Sequence, residues 1–318
     1  MLHFWTANRR TFQPPFTVGF QPIQTLGLSL LIVRKKHFAL LLALPFLMAY
    51  SSGSQALAGE VVFSDDFESG VLAERWEGIN STRPEGLGFE TRAEYVHSGK
   101  RSLRLTAHEN GGNASVAQVT RWFMPGYDRL YFRWYAMFAV DFDQGNLMHW
   151  TFIGGSRTDN KWSAFGTAGL RPGGADFFTT MLEPWRNWGE YPPPGALHFY
   201  TNYPDMTQAP DGNYWGNHFD PQKPFLPDRG RWYCFEVMVK LNTPGSRDGE
   251  QAFWIDGEKI LHADSIRWRD SEVLKLNAFW FGVYIHKAVR DNTCWYDDLI
   301  ISTDYIGPEN GERQGDGK

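Results

Sequence analysis

The stretch RWYCFEVMVKLNTPGSRDGEQAFWIDGEKILHA, residues 231–263, contains the clearest indications of the fold. Its first part, RWYCFEVMVKL, is rich in aromatic and β-branched residues and predicts a strand. Its second part, QAFWIDGEKILHA, predicts a β-hairpin because Asp256-Gly257 is a residue pair that favours a two-residue type I′ turn. A strand followed by a hairpin is typical of an all-β protein.

Short strands separated by clusters of Gly, Pro, Asn and Asp continue on both sides of this stretch, without long helical periodicity. Many short antiparallel strands with turns between them indicate a β-sandwich or jelly roll. No internal repeat or second domain is visible in the sequence. The additional predicted strands are EVVFSDDFES, KRSLRLTAH, RLYFRWYAMFAV, LNAFWFGVYI and CWYDDLIIS.

The middle of the chain, residues 155–228, has a different composition, rich in Gly, Pro, Trp and Asn. Loops of this length in a compact domain are usually functional or disordered. The many aromatic residues argue against disorder. We therefore expect these loops to frame a concave groove.

The N-terminal part of the chain contains a predicted secretory signal peptide, residues 34–58. Basic residues precede an apolar run from Phe38 to Tyr50, and the segment ends in Ala56-Leu57-Ala58, a cleavage signature. The apolar run is shorter than the roughly 20 residues that a bilayer-spanning helix needs. An uncleaved anchor is the alternative interpretation.

Cleavage after Ala58 would yield a secreted or periplasmic protein, expected to be a monomer without stable membrane insertion. Residues 1–33 form an extension of unclear role, because they resemble no targeting element. Residues 59–308 are then one jelly-roll domain, and residues 309–318 a mobile tail.

The charge of the chain argues against a nucleic-acid partner. It has 31 basic and 36 acidic residues, and the five basic residues before position 59 would be lost on cleavage, leaving a net charge of −10. Such a protein has no global basic field. Attraction to a polyanion must therefore be local.

Two cysteines, Cys234 and Cys294, permit one disulfide in an exported chain. Two buried thiols in strands are the alternative. Neither a CxxC pair nor an HExxH motif occurs, so the sequence contains no zinc signature.

Three segments together resemble polysaccharide lyase family 14. They are RLYFRWYAMFAVDFDQGNLMHWTFIGG, RGRWYCFEVMVKLNTPGSRDGEQAFWIDGEKI and FWFGVYIHKAVRDNTCWYDDLIIS, within residues 128–303, and the match is most specific at 239–245 and 254–257. The resemblance implies a concanavalin A-like jelly roll of two packed antiparallel sheets, with a concave face that binds polysaccharide. It also implies cleavage of a uronic-acid polymer, such as alginate or glucuronan, by β-elimination.

This elimination requires a group that neutralises the uronate carboxylate, a base for the C5 proton and an acid for the leaving oxygen, and no cofactor is obligatory. The family's Lys position corresponds to Asn146, with His149 three residues on. Its Ser-x-Arg falls on Gly169 and Arg171, and its Tyr-x-Tyr falls on His198-Phe199-Tyr200. The expected catalytic residues are Tyr200 as acid or base, His198 or His149 as its partner, and Asn146 and Arg171 as neutralisers.

Each catalytic candidate has an alternative interpretation that involves no substrate. His198 and Tyr200 fit a half-exposed strand, Arg171 fits a surface turn, and His149 lies among apolar residues as a core histidine does. The loss of the family's Lys and Ser leaves a non-catalytic carbohydrate-binding protein as the alternative function. A structural or adhesive surface protein is disfavoured because repeats and linkers are lacking.

Further candidates could contact the glycan. Aromatic residues in loops can stack on sugar rings, and the late segment VYIHKAVRD offers cations for carboxylates, although it also fits a solvated strand end. The expected substrate-binding residues are Tyr203, Trp185, Trp188, Trp215, Tyr284, His286, Lys287 and Arg290. His218 and Lys223 are minor candidates.

The chain ends suggest a structural calcium site, as in calcium-bearing jelly-roll modules where the first and last strands are adjacent. The candidates are Glu68, Asp297 and the Ser98–Lys100 turn, with Asp66 in reserve. Carboxylates without an ion are the alternative.

A hydrolase is disfavoured because the ExDxxE pattern of jelly-roll glucanases is absent. Glu183, Glu190 and Glu250 have no Asp two residues later.

Overall fold

The computed structural model describes residues 59–309. The predicted extension and signal peptide, residues 1–58, and the tail from residue 310 lie outside the described residues. Glu309, the first residue of the predicted tail, is described: its amide donates to the Tyr135 hydroxyl at 2.9 Å and its carboxylate pairs with Arg133 at 3.3 Å.

The described part of the chain contains fifteen strands and four short 3₁₀ helices, which are connected by loops. None of the helical segments within residues 59–309 has the length and apolar character needed to cross a membrane. The strands are β1 (Val61–Asp65), β2 (Gly78–Ser81), β3 (Leu87–Glu90), β4 (Ser102–Ala107), β5 (Ser115–Tyr127), β6 (Arg129–Phe138), β7 (Met148–Arg157), β8 (Phe177–Trp185), β9 (Ala196–Asn202), β10 (Asn217–Phe219), β11 (Tyr233–Lys240), β12 (Gly249–Ile255), β13 (Glu258–Ile266), β14 (Leu274–Ile285) and β15 (Asn292–Ser302).

The strands form two antiparallel sheets. Sheet A has the order β13-β12-β11-β6-β15-β4-β3, with β1 also paired to β15. Sheet B has the order β10-β9-β8-β7-β14-β5-β2. The predicted all-β jelly roll of two packed antiparallel sheets is confirmed.

The stretch at residues 231–263 folds as its sequence predicts. Strand β11 pairs with β12, and Ile255 faces Glu258 at the end of the β12–β13 hairpin. Asp256 and Gly257 have φ angles of 50° and 82°. A type I′ turn requires positive φ at both central residues, so this pair sets the hairpin.

The core lies between the inner faces of the two sheets and is largely aromatic. Trp134 on β6 is fully buried and stacks on Phe235 of the neighbouring strand β11, with ring centroids 5.7 Å apart. It also meets Trp150 on β7 at 5.9 Å and Phe281 on β14 at 5.9 Å. Trp134 therefore joins sheet A to the inner face of sheet B, whose outer face carries the candidate site.

The expected disulfide is wrong, because Cys234 and Cys294 are both free and buried. They lie on β11 and β15, on either side of β6, so two inter-strand spacings of about 4.8 Å separate them, more than the roughly 7 Å limit for a bridge. Cys234 pairs with Tyr135 and Cys294 with Phe138 on β6. Positions three apart on one strand point to opposite faces, so the two thiols also point apart.

The predicted calcium ligands receive backbone amide hydrogen bonds. The first and last strands are adjacent, as expected. One Glu68 oxygen accepts from the amides of Lys100 and Arg101, and one Asp297 oxygen accepts from those of His97 and Ser98. Asp66 accepts from the amide of Glu68. A calcium ion at this position stays a prediction.

The outer face of sheet A contains a buried acid, Glu236, whose side chain binds the C-terminal segment. It is 2% exposed and lies opposite Arg133 across the β11–β6 pair. Its two oxygens accept from the amides of Ile306 and Gly307 at 2.8 and 2.7 Å. Burial raises the pKa of Glu236 to about 7, although these hydrogen bonds and Arg133 oppose the rise.

Glu236 predicts a stability that depends on pH. Because its pKa rises from 4.5 to about 7 on folding, the folded chain binds more protons between those values, and stability falls as pH rises through this window. At roughly 1.4 kcal/mol per pKa unit, the change approaches about 3 kcal/mol. Urea unfolding near pH 5 and pH 8 should show a larger decline in the wild type than in Glu236→Gln, by about this amount; the decline that remains in the variant includes that of Asp297, whose pKa burial raises to about 8. Equal pH dependence in both proteins would contradict the assignment.

Candidate active site

The outer face of sheet B carries a row of polar and aromatic side chains across its central strands. On β9, Leu197 and Phe199 enter the core, so His198 and Tyr200 point outward as the sequence alternation predicts. His198 lies opposite Glu183 of β8, and His149 of β7 lies opposite Tyr284 of β14. The strand register thus brings together residues that are up to 135 positions apart in the sequence.

An irregularity in β14 sets the position of Tyr284. The register between β14 and β7 shifts between Phe281 and Tyr284. Such bulges redirect side chains and often occur beside active sites. Here the bulge places Tyr284 opposite His149, with ring centroids 5.9 Å apart.

A chain of hydrogen bonds runs through His149. Its Nδ1 lies 2.8 Å from Glu183 Oε2, and its Nε2 lies 3.3 Å from His286 Nε2. An ionised carboxylate only accepts hydrogen bonds, so Nδ1 of His149 carries a proton. A neutral His149 therefore presents its lone pair at Nε2. The His149 side chain is 32% exposed, whereas that of Glu183 is buried.

His286 is the neutral member of this chain. Burial, followed by the neighbouring His149, lowers the pKa of His286 to about 3. A neutral His286 can donate from Nε2 to the lone pair of His149. At 3.3 Å this hydrogen bond is long, so the contact is weak.

Tyr200 lies on the other side of His149, with ring centroids 5.3 Å apart. Burial raises the pKa of Tyr200 to about 12, an effect that the Gly216 amide opposes and Glu183 reinforces. A phenol is in any case protonated near neutral pH. The row therefore offers a proton acceptor on His149 beside a proton donor on Tyr200.

Gly216 leaves the space that the Tyr200 ring fills. A Cβ at this position would overlap ring atoms of Tyr200. The clash is with an aromatic ring that is held in the sheet, so it cannot be relieved by moving the tip of a flexible side chain. Gly216 was not identified from the sequence.

Gly216→Ala is expected to displace Tyr200 and lower kcat/KM on the substrate by about 100-fold, since a misplacement of roughly 1 Å can have that effect. The fold should be retained because Gly216 borders an edge strand. The matched control is Gly88→Ala on sheet A, where the added methyl meets only the guanidinium end of Arg104. Full activity in Gly216→Ala would show that the position of Tyr200 does not matter.

His198 points to the expected face but is covered. It is 2% exposed, and Trp185 stacks over it with ring centroids 5.8 Å apart and an interplanar angle of 16°. In the described part of the chain, neither of its ring nitrogens makes a hydrogen bond of good geometry. Burial excludes His198 from contact with a substrate in this structure, and of the two partners expected for Tyr200 the geometry favours His149.

Asn146 lies at the end of sheet B where β7 begins. Its Oδ1 accepts from the Trp188 amide at 2.7 Å, while its Nδ2 is buried and makes no hydrogen bond to any residue that the structure describes. Trp188 is 75% exposed and has a left-handed backbone with φ of 58°. Asn146 therefore holds an exposed tryptophan at the rim and retains an unused donor.

Other expected cations lie at the same rim. Arg290 is exposed and lies 3.8 Å from Asp143, which also pairs with Arg186 at 2.9 Å. Lys287 is exposed on the turn after β14. These residues lie at the same end of the row as Asn146 and Trp188.

Arg171 lies towards the opposite end of sheet B. Its Nε donates to the carbonyl of Pro204, four residues beyond Tyr200, and its guanidinium faces Tyr214 at 5.8 Å. Among the contacts within residues 59–309, none joins Arg171 to His149 or Tyr200. The structure does not bring this expected neutraliser to the row.

Two expected aromatic contacts also lie away from the row. Tyr203 packs against Phe219 and Trp268 at the margin of the core, with centroid distances of 5.8 and 6.5 Å. Trp215 donates to Asp211 within its own loop at 2.9 Å. Tyr203 is better explained by packing than by sugar binding.

Of three further residues on this face, sequence analysis missed Asp220, named His218 only as a minor candidate and rejected Glu183. Glu183 was tested only as half of a glycosidase pair, although the alternation of Met181, Glu183 and Trp185 on β8 could have placed it outward. His218 and Asp220 come from the short strand β10 and the residue after it, for which the sequence gives no clear periodicity. Together with His198 they form the one group of three or more His, Cys, Asp or Glu side chains in residues 59–309 whose ligand atoms lie within 4.8 Å of one another.

No protein-family model matches the chain, and no curated protein matches it. Several solved structures are similar to this chain. The PL-14 alginate lyase of Aplysia kurodai has a TM-score of 0.55 at 16% identity, covering 77% of this chain and 100% of that one. The endo-β-1,4-glucuronan lyase of the fungus Trichoderma reesei has a TM-score of 0.54 at 16% identity, covering 77% and 96%.

A variant of the alginate lyase Aly36B, in complex with an alginate tetrasaccharide, has a TM-score of 0.50 at 18% identity, covering 77% of this chain and 95% of that one. These similarities show that the chain has the jelly-roll fold of known polysaccharide lyases.

Proposed function

We propose that the protein is a polysaccharide lyase that cleaves a uronate-containing glycan by β-elimination on the outer face of sheet B. The observation that carries the proposal is His149, which is hydrogen-bonded to Glu183 and lies beside Tyr200. The shared fold is consistent with this function but does not establish it.

His149 is the proposed base. Its Nε2 removes the C5 proton of the uronate, displacing the long contact with His286. The imidazolium that forms is stabilised because Glu183 already accepts the Nδ1 proton at 2.8 Å. A histidine held by a buried carboxylate is a common arrangement for a general base.

Tyr200 is the proposed acid. As the C5–H bond breaks, a C4–C5 double bond forms and the C4–O bond to the neighbouring sugar breaks. The Tyr200 hydroxyl supplies the proton to the leaving oxygen. Asn146 is the proposed donor to the uronate carboxylate. Its Nδ2 is buried and makes no hydrogen bond within residues 59–309, so the rim around it must open for a substrate to reach it.

A non-catalytic carbohydrate-binding protein is the second candidate. It is favoured by Asn146, a neutral side chain where a cation would better acidify the C5 proton, and by the exposed Trp188 at the rim. Aromatic stacking and local cations would suffice for binding without any proton transfer.

Incubation with alginate, glucuronan and glycosaminoglycans separates the two candidates. A lyase generates unsaturated uronate, which is followed by its ultraviolet absorbance. We expect a signal on at least one of these polymers and none on a neutral β-glucan. Retention in affinity gels without absorbance on any uronate polymer would support the binding protein and reject the lyase.

A further inference from the structure

Beside the row, at the edge of sheet B, His198, His218 and Asp220 form a compact group of potential metal ligands. We infer that these three side chains bind one divalent transition-metal ion of the Zn²⁺ class. This inference concerns binding alone and does not depend on the proposed lyase activity.

The strand register puts the three side chains on one surface. In the β9–β10 pair, Phe199 faces Phe219 and Tyr200 faces His218. Continuing this register places Asp220 opposite His198, and His218 and Asp220 share a face because they are two residues apart. The group therefore follows from backbone pairing and not from a flexible loop.

The distances fit a shared ion. His198 Nδ1 lies 3.4 Å from Asp220 Oδ1. Two ligands of one tetrahedral Zn²⁺ lie about 3.3 Å apart, given metal–ligand distances of about 2.0–2.1 Å. The His198 and His218 rings meet edge to face with centroids 4.4 Å apart. Small side-chain rotations would bring all three ligand atoms onto one ion.

The hydrogen bonding of His198 also points to a ligand. The residue is 98% buried, yet within residues 59–309 neither ring nitrogen makes a hydrogen bond of good geometry, and the nearest carboxylates, those of Asp220 and Glu183, lie at 3.4 and 3.9 Å. A buried polar side chain left in this state costs free energy, and such side chains normally have partners. An ion bound by Nδ1 would supply the missing partner at the position that Asp220 already faces.

Glu183 stands where a supporting carboxylate is expected. Its Oε1 lies 3.9 Å from His198 Nε2, on the side of the ring away from Asp220. Metal-binding histidines usually direct their second nitrogen to such a group, which fixes the tautomer and orientation. Trp185 completes the enclosure, with its ring 5.8 Å from His198 and 4.6 Å from His218.

The ligand types select the class of metal. Two imidazoles and one carboxylate suit Zn²⁺ and its neighbours, whereas Ca²⁺ and Mg²⁺ prefer oxygen ligands. Three protein ligands leave a fourth position open. Tyr200 lies next to this group of ligands, with its ring 5.9 Å from that of His218. A water molecule or a carboxylate could occupy the fourth position.

The test is a titration of the untagged, metal-free protein with Co²⁺, whose visible absorption reports tetrahedral nitrogen and oxygen ligation, and with Zn²⁺ by calorimetry. We expect one ion per chain. His218→Ala and Asp220→Ala remove exposed side chains and should retain the fold, and each should weaken binding by more than ~100-fold, beyond the 10–100-fold typical of supporting residues.

The matched control is His262→Ala, a histidine paired with Glu250 on sheet A. The affinity of this variant for Co²⁺ and Zn²⁺ should equal that of the wild type. Absence of binding, or binding that survives in His218→Ala or Asp220→Ala, would overturn the inference. So would binding lost in His286→Ala but not in His218→Ala, because the ion would then lie between His149 and His286. The titration measures metal binding, whereas the elimination assay measures the formation of unsaturated uronate. Failure of the metal site and failure of the lyase proposal are therefore distinguishable.

Discussion

Tyr200→Phe is expected to lower kcat/KM on the uronate polymer by about 10²–10⁴-fold, the range in which a positioned acid or base contributes. The substitution removes only the hydroxyl, so the ring still fills the space beside Gly216 and His149. Binding of the polymer, measured by affinity gel electrophoresis, should therefore change little. Loss of turnover with binding retained identifies a group that acts in the transition state.

A matched control is Tyr131→Phe, which removes a hydroxyl from sheet A, where Tyr131 lies near Trp254 and Tyr305. It should keep wild-type activity. His149→Gln should cause a loss similar to Tyr200→Phe, and the double variant should lose far less than the product of the two factors because the residues act in one proton-transfer event. An active Tyr200→Phe protein would remove Tyr200 from the mechanism.

Trp134→Ala is expected to lower the free energy of unfolding by about 3–5 kcal/mol, the range for deletion of a buried large aromatic side chain. Trp134 is fully buried and contacts aromatic residues of both sheets, including Phe235 and Phe281. The remaining cavity would be lined by rigid rings that cannot easily collapse. The measurement is urea unfolding, in which the midpoint should fall while the slope stays constant.

The control for this substitution is Trp188→Ala, which removes the same side chain from a position that is 75% exposed. This substitution should lower the free energy of unfolding by no more than about 0.5 kcal/mol. A loss below about 1 kcal/mol in Trp134→Ala would mean that the core between the sheets is looser than its burial implies.

The sequence was sufficient for the fold because the fold depends on local patterns. Alternation in β11 and the Asp256-Gly257 turn each act within a few residues, and both are found as predicted. The expectation of a disulfide was wrong because the presence of two cysteines does not show that they lie close together. Their distance depends on the strand order. Strand β6 lies between β11 and β15, which no local pattern reveals.

The candidate site was predicted only in part for the same reason. The outward direction of Tyr200 follows from alternation on β9, whereas its neighbours depend on which strands pair and in what register. His198 was expected to share that accessible face, but the alternation could not show that Trp185 would cover it. Glu183 and Asp220 became visible as neighbours of histidines only through the pairing of β8, β9 and β10.

The most direct test of the proposed β-elimination is mass spectrometry of the products formed in water enriched in heavy oxygen. Elimination adds no water, so we predict new ends that carry an unsaturated uronate, contain no heavy oxygen and are lighter by one water than hydrolysis products. Saturated products with heavy oxygen at the cleaved bond would show hydrolysis and contradict the assignment of His149 and Tyr200 as the base and acid of a lyase.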